Sequence, residues 1–145
     1  MLQQLVAEHL PETLASFQPI RNEPEITQFN KQIAKALTLV FPRIEGDDLV
    51  FASGKLAEAT LGIREPDGIP VSKIDLILVP ALAVDQNGIR LGRGKGYYDR
   101  ALSRFPNAKK IAVIFDEEFL PAIPADPWDI RMDGVVTPKR RVMFG

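Results

Sequence analysis

Apolar positions recur along this chain with two distinct periods. Between residues 2 and 16, Leu2, Leu5, Val6, Leu10 and Leu14 stand at helical intervals with Pro11 among them, which predicts one helix or two short turns ahead of Pro19. From Pro24 to Leu37 the set Ile26, Phe29, Ile33 and Leu37 keeps helical spacing, and Asn22 or Glu23 before a proline suits a helix start. Leu37 to Pro42 is rich in β-formers, and Leu49-Val50-Phe51 predicts a short strand after the turn Gly46-Asp47-Asp48. Residues 52–72 read as loop with one helical turn. Ile74 to Val79, interrupted only by Asp75, and Ile111 to Phe115 are continuous apolar runs, the pattern of strands covered on both faces.

Between those runs, Tyr97 to Phe105 places Tyr98, Ala101, Leu102 and Phe105 on one helical face. The order strand, loop, helix, strand from 74 to 115 predicts a right-handed βαβ unit. Val135-Val136 supplies a last short strand after the proline-rich stretch Leu120 to Trp128. The expected fold class is α/β: a three-layer α/β/α sandwich around a mostly parallel central sheet, in a single domain over 1–145.

Composition narrows the partners. With 18 Lys+Arg against 19 Asp+Glu, no global field draws the molecule to nucleic acid or an anionic membrane, so any anion site is local. The absence of cysteine excludes a disulfide framework and thiolate metal sites and fits a reducing cytoplasm. Met1 to Leu5 has neither the basic start of a signal peptide nor the apolar run of an anchor. The expectation is a soluble cytoplasmic monomer acting on small molecules.

Chemistry concentrates in Gly88-Ile89-Arg90-Leu91-Gly92-Arg93-Gly94-Lys95-Gly96, which holds four of the ten glycines just ahead of Tyr97-Tyr98-Asp99-Arg100. Such spacing lets backbone N–H groups converge on one anion at a helix N-terminus, and Arg90, Arg93 and Lys95 complete a phosphate cradle. It is not a Walker A loop: five residues separate Gly88 from Gly94, and neither Ser nor Thr follows Lys95. Nor is it a dinucleotide fingerprint, since Gly92, Gly94 and Gly96 give G-x-G-x-G. Taken alone, the loop also admits the lesser reading of a glycine-rich surface turn with solvated basic side chains.

The run Asp75-Leu-Ile-Leu-Val-Pro-Ala-Leu-Ala-Val-Asp85, then Gly88 and Arg90 to Arg100, resembles the signature of 5-formyltetrahydrofolate cyclo-ligases. Weaker similarity extends to Glu25-Ile26-Thr27, Phe41-Pro42, Gly62 to Pro66, and Asp129 to Thr137, covering about Phe17 to Thr137. The resemblance implies a sandwich of the NagB/RpiA/CoA-transferase-like type and ATP- and Mg²⁺-dependent closure of 5-formyltetrahydrofolate to 5,10-methenyltetrahydrofolate. By that likeness Arg90, Gly92, Arg93, Gly94, Lys95, Gly96 and Tyr97 would bind ATP phosphates, with Arg93 and Lys95 catalytic. Asp99 and Asp129 would hold Mg²⁺, with Asp133 a third candidate, and Glu25, Tyr97 and Tyr98 would line the folate pocket. Helical spacing puts Tyr98 with the core residues and leaves Tyr97 as the freer ring.

The likeness also implies a basic helix ahead of Met1 that is not among these 145 residues, and Trp128 stands where relatives commonly have histidine. His9, the single histidine, is expected in a solvated or capping role, and Asp116-Glu117-Glu118 as a charged helix start. The alternative compatible with the same residues is a non-catalytic folate- or nucleotide-binding remnant.

Overall fold

The computed structural model describes residues 1–54, 56–58, 64–127 and 129–145. The first half of the chain forms α1 (Leu2–His9), β1 (Thr13–Ala15), α2 (Thr27–Ile33), β2 (Thr38–Glu45), β3 (Asp48–Ala52), β4 (Leu56–Glu58) and β5 (Arg64–Pro66). The second half adds β6 (Leu76–Pro80), β7 (Ala83–Asp85), β8 (Arg90–Leu91), α3 (Tyr97–Leu102), β9 (Lys109–Val113), β10 (Phe119–Leu120), β11 (Gly134–Val136) and β12 (Arg141–Met143). A 3₁₀ turn over Asp116–Glu118 precedes β10.

The main sheet runs β12-β11-β9-β6-β1-β2-β3. Its five inner strands are mutually parallel, and the edge strands β12 and β3 are antiparallel. Side chains alternate between two cores, as the period of a strand requires. Leu14, Leu76, Leu78, Ile111, Val113 and Val136 meet Leu5, Val6, Phe29 and Ile33 of α1 and α2. Ala15, Ile77, Val79, Ala112 and Val135 meet Ala101 and Leu102 of α3 together with Phe51. The two unbroken apolar runs in the sequence are thus β6 and β9, buried on both faces, and each fully buried Leu or Ile there contributes about 1.5–3 kcal/mol.

Asp75, the polar interruption in the first run, ties β1 into the sheet. Its Oδ2 accepts from the Glu12 and Thr13 N–H groups at 3.0 Å each, while its backbone bonds Thr13 O and the Lys109 N–H. The expectation of one helix or two short turns over 2–16 holds only as far as His9. The chain leaves α1 at Leu10 with φ 47°, Pro11 blocks continuation, and residues 13–15 become a central strand. Leu14 satisfies either period, which is why spacing alone chose wrongly.

Other elements shift in extent. The second helix begins at Thr27 instead of near Asn22, and β2 runs on through Pro42 to pair with β3. The stretch expected as loop with a helical turn contains the hairpin β4–β5. Trp128 and the Gly62-Ile63 part of the family likeness lie outside the described residues. Among the described residues, no helix is long and apolar enough to cross a membrane.

Candidate functional site

Parallel sheets of this kind open their ligand crevice beyond the carboxyl ends of the strands. Here that edge carries the turn after β1, the β7–β8 hairpin with its glycine loop, and the segment between β10 and β11. Ser16 leaves β1 buried and its Oγ donates to Asn30 Oδ1 at 2.6 Å; Asn30 Nδ2 in turn donates to Phe17 O at 3.0 Å. These bonds fix the 17–26 turn against α2.

Within the glycine loop, Gly94 and Gly96 take φ of +95° and +69°, conformations that L side chains rarely adopt. At Gly92 the closeness is to a side chain: a Cβ there would sit 2.8 Å from Arg90 Nη1 and would push the guanidinium aside. The loop therefore folds directly over the Arg90 guanidinium. Arg90 Nε donates to Pro80 O at 2.8 Å, and its guanidinium lies 5.2 Å from the Tyr98 ring centre. Burial lowers its pKa from the ordinary arginine value, with Tyr98 and Asp99 opposing the shift. Among the described residues no carboxylate pairs with it at ion-pair distance.

Arg93 is more than half exposed and its Nη2 lies 3.4 Å from Glu23 Oε2, whose side chain is only 8% exposed. Lys95 is exposed, and its carbonyl accepts from Arg100 Nη1 at 3.0 Å. Arg100 reaches on to Asp47 O at 2.7 Å and stacks 5.3 Å from the Tyr97 ring centre, so it fastens the loop to the β2–β3 turn. Because α3 has only six residues, the cationic character here comes chiefly from these side chains and only slightly from a helix dipole.

Both tyrosines are half-buried. Tyr98 packs edge-on to Phe51 at 6.2 Å, and its hydroxyl is buried without a hydrogen-bond partner among the described residues. Burial pushes its pKa far above the phenol range, against the attraction of Arg90. Asp99 is raised by desolvation, opposed by Arg90, and raised further by Asp129, which brings the two acids into one electrostatic neighbourhood. Asp129 holds a tight turn, its Oδ2 accepting from the Asp126 N–H at 2.7 Å.

Asp133 is placed differently. Its Oδ2 accepts from the Lys110 N–H at 2.9 Å and its backbone bonds Lys110 O and the Phe144 N–H, so it serves strand pairing. Among the described residues no cluster of three or more His, Cys, Asp or Glu gathers to hold a metal. A cation here would need phosphate oxygens to complete its shell beside Asp99 and Asp129, which suits Mg²⁺.

Glu25 is exposed and turns onto its own helix, accepting from the Thr27 N–H at 2.8 Å. It lines a separate cleft of about 370 Å³ bounded by Met1, Gln28, Ile114 and Thr137. Glu23, two positions earlier, lies beside the glycine loop through Arg93, and its Oε1 accepts from the Ile20 N–H at 2.8 Å. His9 Nδ1 contacts Leu5 O at 3.0 Å within α1, and Asp116 is held by Thr137 and Arg140 at 2.9 and 3.0 Å.

Fold and loop together define an α/β protein with a glycine-rich basic loop at the carboxyl edge of a mostly parallel sheet. The profile of the 5-formyltetrahydrofolate cyclo-ligase family matches residues 4–138, and the chain belongs to that family. It is 48% identical over 99 residues to the 5-formyltetrahydrofolate cyclo-ligase of Mycolicibacterium smegmatis, covering 64% of this chain and 51% of that protein. To the protein of the same name from Mycoplasma pneumoniae it is 30% identical over 131 residues, covering 86% and 71% respectively. The structure of Aquifex aeolicus 5,10-methenyltetrahydrofolate synthetase superposes with a TM-score of 0.84 at 34% identity, over 98% of this chain and 76% of that one. The chain spans about half the length of the Mycolicibacterium smegmatis and Escherichia coli relatives.

Proposed function

We propose that this chain converts 5-formyltetrahydrofolate to 5,10-methenyltetrahydrofolate with cleavage of ATP to ADP and phosphate. The observation that carries the reading is Arg90: a cation held under a glycine loop, tied to a carbonyl and a ring but, among the described residues, in no ion pair with a carboxylate, suits an anion site. Family membership and the names of the relatives supply the reaction.

An N-formyl oxygen is a poor leaving group until it is phosphorylated. The γ-phosphoryl group of ATP passes to that oxygen, N10 then attacks the formyl carbon, and the C–O bond breaks as phosphate departs and N10 loses its proton. Arg90, Arg93 and Lys95 stabilise the charge on the transferring group, with backbone N–H groups of Gly92, Gly94 and Gly96 shaping the cradle. Asp99 and Asp129 would hold Mg²⁺, which when bound neutralises phosphate oxygens. On the folate side, Tyr97 and Tyr98 offer rings and hydroxyls. The carboxylates offered to a pterin edge are Glu25 and, beside Arg93, the more buried Glu23; each already accepts one backbone N–H, from Thr27 and Ile20 respectively, which a pterin would share or displace.

The test incubates the chain with 5-formyltetrahydrofolate, Mg²⁺ and ATP and follows methenyltetrahydrofolate absorbance, beside a no-ATP control and Lys95→Ala. ATP-dependent product falling about 100-fold in the variant supports the reading. A folded chain that binds folate and makes no product overturns it in favour of a binding protein without turnover.

A further inference from the structure

Asp85 ends β7 with its side chain 1% exposed, outside the set that faces the glycine loop. Its carboxylate is satisfied entirely by backbone amides. Oδ1 accepts from the Asn87 and Ile89 N–H groups at 2.8 and 3.0 Å, and Oδ2 accepts from the Ile123 N–H at 2.9 Å. The first pair shapes the turn that leads directly into Arg90. The third bond reaches across the sequence to the segment between β10 and β11, which carries Asp129.

That segment returns to the same turn at its far end. Gly88 O accepts from the Met132 N–H at 2.8 Å, and Asn87 O accepts from Arg131 Nη1 at 3.1 Å. The approach is close enough that a Cβ on Gly88, whose φ is +82°, would lie 2.7 Å from Met132 O. Ile123 at one end of this segment and Arg131 and Met132 at the other are therefore bonded to one turn, and that turn is the root of the glycine loop.

We propose that Asp85 is a positioning residue that sets Asp129 opposite Asp99 by tying the 123–132 segment to the base of the phosphate loop. The proposal rests on the reading of Asp99 and Asp129 as a Mg²⁺-holding pair. A carboxylate is needed because both oxygens face amide donors: asparagine offers one oxygen, and its NH₂ must oppose an N–H either in the turn or at Ile123. Asp85 touches neither phosphate nor metal; it acts through Asp129.

Two variants cut the tie from opposite sides. Asp85→Asn alters the acceptor, and Ile123→Pro removes the donor while leaving Asp85 and its turn intact. Hydrogen exchange is read at Asp126 and Asp129 in both variants and at Ile123 in the first, with the β9 amides as an internal control. Mg²⁺ binding in the presence of ADP is measured by calorimetry, and turnover is followed across Mg²⁺ concentrations. The expected result is exchange faster in the segment alone, a Mg²⁺ dissociation constant raised about tenfold in both variants, and turnover at saturating Mg²⁺ largely retained. Unchanged segment exchange overturns the tie. Turnover lost at every Mg²⁺ concentration with an unaltered Mg²⁺ constant overturns the positioning role in favour of a structural one. A wild-type chain that binds no Mg²⁺ overturns the underlying reading of Asp99 and Asp129, which the exchange data separate from failure of the tie.

Discussion

Replacing Tyr98 by phenylalanine should make the ligand-free protein more stable and folate binding weaker. The ring keeps its edge contact to Phe51 at 6.2 Å and its place beneath Arg90 at 5.2 Å, so the change removes only a buried hydroxyl that has no hydrogen-bond partner among the described residues. A buried polar group left without a hydrogen bond costs about 1–3 kcal/mol, and taking the low end for a hydroxyl gives a gain of about 1 kcal/mol. For a domain of this size that is about 2–4 °C in Tm. Tyr98 stays neutral throughout the assay range because burial lifts its pKa, so no titration confuses the comparison. Thermal unfolding is followed with and without saturating 5-formyltetrahydrofolate. The Tm advantage of Tyr98→Phe should shrink or reverse with ligand, and its folate dissociation constant should rise about fivefold, the worth of one net hydrogen bond. A ligand-free variant that melts lower than wild type shows that the hydroxyl already has a partner. An unaltered ligand-induced rise in Tm shows that it does not face the folate.

Asp99→Asn should likewise separate stability from function. Desolvation and Asp129 hold the Asp99 carboxyl above its ordinary value of 3.8, so its ionisation opposes folding. That opposition is absent below the unfolded pKa and complete above the folded one. The variant should gain a few tenths of a kcal/mol at pH 7, a modest figure because the group is partly exposed, and nothing near pH 3. Urea midpoints at the two pH values check this, and Mg²⁺-dependent turnover should fall about 100-fold; destabilisation at pH 7 contradicts the account. Lys110→Met should cost about 2 kcal/mol, because buried Lys110 Nζ donates to Phe105 O and Ala108 O at 2.9 Å each. Since burial lowers the Lys110 pKa from 10.5, the unfolded chain holds the extra proton in the window below 10.5, so wild-type stability should gain on the variant as pH rises through that window.

The layers of the fold were legible in the sequence because β6 and β9 are buried on both faces and cannot alternate. Short central strands were not. Thr13–Ala15 carries a single informative side chain, Leu14, and its place in the sheet is set by Asp75 from more than sixty positions away in the chain, a bond that no local pattern announces. The β7–β8 hairpin was hidden for a related reason: its strands are two or three residues long and fold around a turn whose carboxylate is used internally.

At the candidate site the glycine loop was legible because its composition is itself the signal, whereas the approach of Glu23 to Arg93 was not, because it joins residues seventy positions apart in the chain. The loop also raises a physical problem that its own residues do not solve. Four glycines supply neither packing nor restricted dihedrals, and a loop that flexes pays its ordering entropy each time a ligand orders it. The rigidity must come from outside, and the structure supplies it through arginines that reach backbone carbonyls: Arg90 to Pro80 O, and Arg100 to both Lys95 O and Asp47 O. Each such bond tethers a guanidinium without cancelling its charge. The same side chains thereby hold the loop and give it its charge, which accounts for arginine, with its several donors, at positions where lysine would supply only the charge.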